Sequence, residues 1–235
     1  MIGVFTYRAP HRKTYDTLCL LRARGYEDVV VFAQPLHYVK KFVPLIEHRP
    51  QCYNDVHPEQ LCKNVGYKYV YQKTNCRDES IIQDLSLNGL PTNAIILVCG
   101  AGIIPQTIVQ HYKVINAHPG YIPNVRGLDA LKWAIYEEQP IGVTTHQIGS
   151  DVDAGLIIER RIVPVYYNDT FHAVAYRQYE IEIKMLVDAI EKINEATEYV
   201  GPGDSQIHKR MPHELETEIP RRFEKIKEKL LSANN

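Results

Sequence analysis

The strongest constraint on this chain is the repeated order of short apolar runs and helical patterns over its first 165 residues. IGVFTY (2–7) and VVVF (29–32) are apolar almost throughout. A strand without polar alternation suits a sheet covered on both faces. Between them, KTYDTLCLLRARG (13–25) spaces Leu18 and Leu21 for one helical face and stops at Gly25. YKYVYQ (67–72), NAIILVCG (93–100) and KVINA (113–117) are further strand candidates. Helical patterns in DESIIQDLSLNG (78–89) and IPQTIVQH (104–111) separate them. After Gly127, LDALKWAIYEE predicts a helix, then GVTTHQI (142–148) and GLIIERRIVPV (155–165) predict two later strands. Such alternation predicts an α/β fold with a sheet that is mainly parallel in its first half.

The pattern then changes. Asp169 and Thr170 can cap a long helix. In it Phe171, Ala175, Tyr179, Ile183, Leu186, Ile190 and Ile193 recur at steps of four and three, forming one apolar stripe. GPGD (201–204) ends that helix, and Ile219, Phe223, Ile226 and Leu230 mark a second stripe in the tail. Both stripes need cover from the core or from a second subunit.

Composition narrows the function classes. A formal net charge of −1 over 235 residues gives no global pull toward nucleic acid or membrane. No apolar run approaches the roughly 18 residues a membrane span needs. MIGVFTYRAPHRK lacks the basic-then-apolar order of a signal peptide, so a cytoplasmic protein is expected. Cys19, Cys52, Cys62, Cys76 and Cys99 are scattered without a C-x-x-C pair, which predicts reduced packing residues and no zinc site.

Chemistry concentrates in VINAHPGYIP (114–123). Residues two apart on a strand share a face, so Asn116 and His118 project together where the strand gives out. In open α/β sheets the crevice beyond the strands' carboxyl ends is the usual ligand site. An imidazole can take a proton near neutral pH, and a carboxamide can donate to a developing oxyanion. HQIGSDVDAGLII adds Asp151 and Asp153 in a loop between two strand candidates, with Gly155 behind them. A carboxylate near an imidazole can help relay a proton through water. A turn aspartate bonding its own backbone is the alternative for Asp153.

The combination of INAHPGYIP with RGLDALKWAIYEEQPIGVTTHQIGSDVDAGLII resembles the N10-formyltetrahydrofolate-dependent formyltransferase family. The shared signature is N-x-H-P, then G-x-T-x-H, then an Asp seven residues past that second His and followed by x-G-x-I-I. Here these are His146, Asp153, Gly155, Ile157 and Ile158. The resemblance covers about residues 94–163. It implies a Rossmann-like formyltransferase core over 1–166 and a short, mainly helical extension over 167–235. It further implies that Asn116 and His118 stabilise a tetrahedral oxyanion. His118, Asp153 and a water then move a proton from the attacking amine toward the departing folate nitrogen, without a metal. His146 is a supporting residue in this picture. The cosubstrate N10-formyltetrahydrofolate is expected against Gly100, Gly102, Ile103, Ile104 and Asp151.

The family's acceptors include glycinamide ribonucleotide, methionyl-tRNA and nucleotide-linked amino sugars. Purine-pathway members carry a glycine- and serine-rich loop after the first strand. Here that place reads TYRAPHRKT (6–14), without glycine, so a phosphate-cradling backbone is not expected. The sugar-nucleotide N-formyltransferases are the most similar in size, and IHKRMPHE (207–214) resembles segments in them. The expected acceptor is a nucleotide-linked 4-amino-4,6-dideoxyhexose for a surface polysaccharide, with a homodimer as the assembly. Glycinamide ribonucleotide or another small amine, and a non-catalytic folate- or nucleotide-binding module, are the alternatives. Tyr7, Arg8, His11, Lys13, Tyr121, Arg126, Lys209 and Arg210 are the candidate acceptor contacts. Trp133 is expected to pack its helix.

Overall fold

The computed structural model describes residues 1–36, 42–49, 55–76, 80–149, 153, 155–201 and 206–233. Asp151, Cys52 and most of the GPGD segment lie outside the described residues. In chain order the elements begin with β1 (Ile2–Tyr7), α1 (Arg12–Ala23), β2 (Val29–Gln34), α2 (Pro58–Val65) and β3 (Lys68–Tyr71). Then come α3 (Ile81–Leu87), β4 (Ile95–Val98), α4 (Gln106–His111), β5 (Lys113–His118), β6 (Arg126–Gly127) and α5 (Ala130–Tyr136). The chain continues through β7 (Gly142–Ile148), β8 (Gly155–Ile162), α6 (Phe171–Lys192), β9 (Glu198–Val200), β10 (Ile207–His208), α7 (His213–Glu216) and α8 (Ile219–Ala233).

One sheet has the order β3-β2-β1-β4-β5-β7-β8-β9. It is parallel from β3 to β5 and antiparallel from there on. The sequence predicts this division because crossover helices separate the early strands, whereas β7 and β8 follow one another closely. α2 escaped the pattern, although its start and stop signals are present. His57 accepts the Glu59 N–H at the N-cap, Pro58 opens the helix, and Gly66 ends it in a left-handed conformation.

Both faces of the parallel half are covered. On one face α1 and α6 bury Leu18, Leu21, Leu186 and Val187 against Val4, Val31, Leu97 and Ile115. On the other, α3 and α4 bury Ile81, Leu85 and Ile108 against Phe5, Phe32, Ile96 and Val114. A third cluster joins α5, β7 and α8 through Leu131, Ile135, Val143, Ile219 and Phe223. The α6 stripe is therefore covered largely within the chain, and so are Ile219 and Phe223 of the α8 stripe, while Ile226 and Leu230 stay half-buried.

The expected division at 166/167 does not separate two packing units. α6 lies inside the core of the sheet, capped at its start by Thr170, whose Oγ1 accepts the Ala173 N–H. Asp169, the other expected cap, instead takes the Tyr166 N–H and pairs with Arg177. The tail is not only helical either. β9 extends the main sheet beside β8, and β10 pairs with β6 just past the end of β5.

Candidate functional site

β5 ends at the carboxyl edge of the sheet, and Asn116 and His118 stand on it two residues apart. The antiparallel pairing with β7 sets His146 opposite Asn116 and Thr144 opposite His118. Asn116 Nδ2 lies 3.4 Å from His146 Nε2. A carboxamide has two N–H donors, so its second N–H remains for a ligand. Asn116 is half-buried, whereas only 4% of the His118 side chain is exposed.

The two nitrogens of His118 each face an oxygen acceptor. Nδ1 lies 3.4 Å from Asp153 Oδ1, and Nε2 lies 3.2 Å from the Val125 carbonyl. A neutral imidazole donates from one nitrogen only, while the protonated ring donates from both. A proton gained by this ring therefore has a partner waiting. Gly120 makes room for the ring: a Cβ there would sit 2.5 Å from His118 Nε2 and 2.7 Å from the Val125 carbonyl.

Asp153 adopts a positive φ of 47°, a conformation that aspartate tolerates better than most residues. Its Oδ2 accepts the Gly127 N–H at 2.8 Å, which leaves Oδ1 toward His118. The carboxylate is thus anchored to the segment after β5 and is not a turn residue bonded only to its own loop.

Next to β5, the chain leaves β4 through Gly100–Ile104. Gln34 Nε2 donates to the Gly100 carbonyl at 3.1 Å, and the Tyr7 hydroxyl donates to the Ala101 carbonyl at 2.9 Å. A Cβ on Gly100 would lie 2.6 Å from the Tyr7 ring, so only glycine admits this packing. Gly102 and Ile103 are exposed and Ile104 is half-buried, which offers an apolar wall to a flat ligand. Tyr7, expected at the acceptor, instead supports this loop.

Three more expected acceptor contacts are placed differently. Lys13 is buried, bridges to Glu182 Oε1 at 2.8 Å and donates to the Ala117 carbonyl at 3.2 Å, so its charge is used inside the protein. His11 pairs with Thr14 Oγ1, and its pKa is pushed down to about 4, by burial first and then by Lys13 and Arg49. It carries no charge near neutrality and does not serve as a cation for an anionic group. Arg126 is fully buried because β10 covers β6, and its Nη1 lies 3.4 Å from the Gly201 carbonyl.

The remaining candidates stay accessible. The Arg8 guanidinium lies 4.2 Å from the Tyr71 ring centroid. It borders a cavity of about 570 Å³ with Pro35, Leu36, His57 and Tyr69 at the carboxyl ends of β1 to β3. Tyr121 is half-buried and packs on Gly142. Lys209 is exposed, and Arg210 is half-exposed and paired with Asp129 Oδ1 at 2.7 Å. Trp133 packs against His208 and donates from Nε1 to the Lys209 carbonyl, in keeping with a helix-packing role.

Sequence reasoning did not single out Arg49, Gln178 or Glu182. Glu182 is fully buried between Lys13 and Arg49. Burial would raise its pKa, but the two cations outweigh burial and bring it down to about 2. Gln178 donates to the carbonyls of Pro119 and Gly142, each at 3.0 Å. The legible signal was a Gln and a Glu four residues apart within the apolar stripe of α6. Among the described residues, no group of three or more His, Cys, Asp or Glu side chains is arranged to hold a metal ion. None of their helices is long and apolar enough to cross a membrane.

Residues 41–190 match the family model for formyl transferases. The chain belongs to the formyl transferase family. Among curated relatives, a methionyl-tRNA formyltransferase of Thermosynechococcus vestitus is 25% identical over 127 residues, covering 53% of this chain and 38% of that protein. A phosphoribosylglycinamide formyltransferase of Bacillus subtilis is 27% identical over 129 residues, covering 52% of this chain and 64% of that protein. The matches therefore span less than two thirds of either relative. Among solved structures, a formyltransferase from Anoxybacillus kamchatkensis, in complex with UDP-4,6-dideoxy-4-formamido-L-AltNAc and tetrahydrofolate, superposes with a TM-score of 0.54. It is 20% identical, over 89% of this chain and 86% of that one, and it shares the Rossmann-like formyltransferase fold.

Proposed function

We propose that this chain transfers a formyl group from N10-formyltetrahydrofolate to the amino group of a nucleotide-linked amino sugar, of the 4-amino-4,6-dideoxyhexose type. The observation that carries the formyl-transfer reading is the placement of His118 between Asp153 and the Val125 carbonyl, on the same strand face as Asn116. The amine attacks the formyl carbon, and the carbonyl oxygen becomes an oxyanion. Asn116 Nδ2 donates to it, and the protonated His118 does so when its Nε2–H turns from the Val125 carbonyl to the oxyanion, a form of stabilisation worth roughly 2.7–4 kcal/mol per donor in comparable sites. The intermediate collapses with cleavage of the bond to N10. The proton lost by the amine passes through water, His118 and Asp153 to the departing nitrogen. The wall at Gly100, Gly102, Ile103 and Ile104 fits the flat ring of the folate.

For the acceptor, support comes from the β1–α1 connection. It has no glycine, and Lys13 is turned inward to Glu182, so it offers no cradle for a ribosyl phosphate. Arg8, Lys209 and Arg210 remain as exposed or half-exposed cations for an anionic acceptor. Lysate-free assays with N10-formyltetrahydrofolate and a panel of acceptors test this reading through release of tetrahydrofolate and the mass of the product. A gain of one formyl group on a nucleotide-linked 4-amino sugar supports it. Formylation of glycinamide ribonucleotide or methionyl-tRNA in preference overturns the acceptor. Formylation of none of the three classes overturns formyl transfer to them, and the chain then stands as a folate- or nucleotide-binding module.

A further inference from the structure

β4 pairs with β5 only as far as Ile115, so the last residues of β5 have a strand neighbour on one side alone, β7. His118 is the final residue of β5, and Pro119 follows without an N–H to donate. The sheet ladder by itself therefore holds this strand end weakly. Two side chains from the helical layer compensate. Lys13, in the first turn of α1, donates to the carbonyl of Ala117, the residue before His118. Gln178, on α6, donates to the carbonyl of Pro119, the residue after it, and also to Gly142 at the start of β7.

Glu182 joins these two supports. It stands one turn beyond Gln178 on α6 and bridges Lys13 and Arg49. A lone ammonium beside the His118 backbone would oppose protonation of the ring. Glu182 offsets that charge while keeping the Lys13 amine on the Ala117 carbonyl.

We propose that Gln178 and the Lys13–Glu182 pair are positioning residues for His118, clamping the peptide carbonyls on both sides of it so that the imidazole keeps its place between Asp153 and Val125. Their polar atoms are engaged with backbone carbonyls and with one another. The inference rests on the catalytic role proposed above for His118. A shift of about 1 Å in a reacting group can reduce turnover on the order of 100-fold, so these remote contacts bear on rate directly.

The test compares Gln178→Met and Lys13→Met, each of similar length without the donor, with Lys13→Arg and with Leu186→Val. Leu186 is a fully buried core residue of α6 and lies outside the site. Gln178→Met and Lys13→Met should lower kcat about 10- to 100-fold with little change in KM for folate or acceptor. Lys13→Arg, which keeps charge and donor, should recover most of the loss. Leu186→Val should lower Tm yet leave kcat unchanged well below that Tm. Wild-type kcat in both Gln178→Met and Lys13→Met overturns the positioning role, as does an equal kcat loss in Leu186→Val. His118→Ala, run alongside, separates the two levels. If it is inactive while Gln178→Met and Lys13→Met are fully active, only the positioning role falls. If it is fully active, the catalytic role falls and the positioning role with it.

Discussion

The carboxyl ends of β5 and β1 open on the same edge of one sheet and are built in opposite ways. At the end of β5 the imidazole is buried, both its nitrogens face acceptors, and the carbonyls before and after it are held from α1 and α6. At the end of β1, Arg8 rests on the exposed ring of Tyr71 beside an open cavity. Bond making requires a geometry held to fractions of an ångström. Choosing a ligand requires only a surface of suitable charge and shape, which loops vary freely. The comparison teaches that the rigid end fits the shared chemistry and the open end fits the selection of an acceptor.

The comparison breaks first at His118. His118→Ala should reduce turnover about 10²- to 10⁴-fold, read as kcat with a melting curve showing that the fold persists. Asp153→Asn keeps an oxygen for the Gly127 N–H and removes the charge facing His118, so a loss of roughly 10²-fold in kcat is expected, with the Gly127 contact retained in a crystal structure. If Asp153→Asn matches the wild type across the pH range, the relay does not pass through Asp153.

Glu182→Gln should act on stability. It leaves Lys13 without its buried counterion, for which roughly 3–5 kcal/mol is typical in a fully buried pair. Because the Arg49 side chain is 43% exposed and screened by solvent, a loss nearer 2 kcal/mol is expected, measured by urea denaturation. An unchanged unfolding midpoint would mean that the ionic cluster adds no net stability.

A pH series sharpens the same contrast. His11 and His48 are both pushed down to about 4, by burial first, then by Lys13 and Arg49 for His11 and by Lys132 and Arg49 for His48. An unfolded histidine titrates near ~6.5, so between pH ~6.5 and 4 the unfolded chain binds more protons than the folded one. Stability present above ~6.5 is therefore lost as pH falls through that window. Glu182, held at about 2, adds a loss only below its unfolded value near ~4.3. Tm should fall from pH 7 to 4, and the double variant His11→Asn with His48→Asn should fall less. Equal slopes would show that these histidines are not responsible.

The smallest effect belongs to the open end of β1. Arg8→Ala removes a cation–π contact worth about 0.5–1 kcal/mol together with a cation at the cavity. KM for the acceptor should rise a few-fold at nearly constant kcat. A fall in kcat with constant KM would place Arg8 with the reacting groups instead.

β1 to β5, β7, β8 and most helices were legible because apolar runs and stripes repeat their periods locally, whereas the short β6, β9 and β10 carry no such repeat. Asn116, His118 and Asp153 were legible as a set because their spacing and strand-end context coincide. Arg126 and Lys13 illustrate the limit. As sequence they are cations beside the site, yet one is buried under β10 and the other is turned to Glu182 on a helix 169 residues away along the chain. Whether a charge faces solvent or a counterion depends on which distant segment covers it, and no local pattern records that. The change in periodicity at 166 has the same limit, since it marks a new element but not whether that element packs on the existing core, as α6 does.

Taken alone, the sequence determined the alternating elements, the parallel half of the sheet and the residues at the end of β5, because hydrophobic period and strand geometry are local properties. The tertiary structure decided which of those residues meet. It brought Asp153 to His118, paired Lys13 with Glu182, and set Lys13 and Gln178 against the carbonyls of a strand end that its own ladder leaves half supported. Those are long-range pairings, fixed by burial and by the need of every buried polar group for a partner.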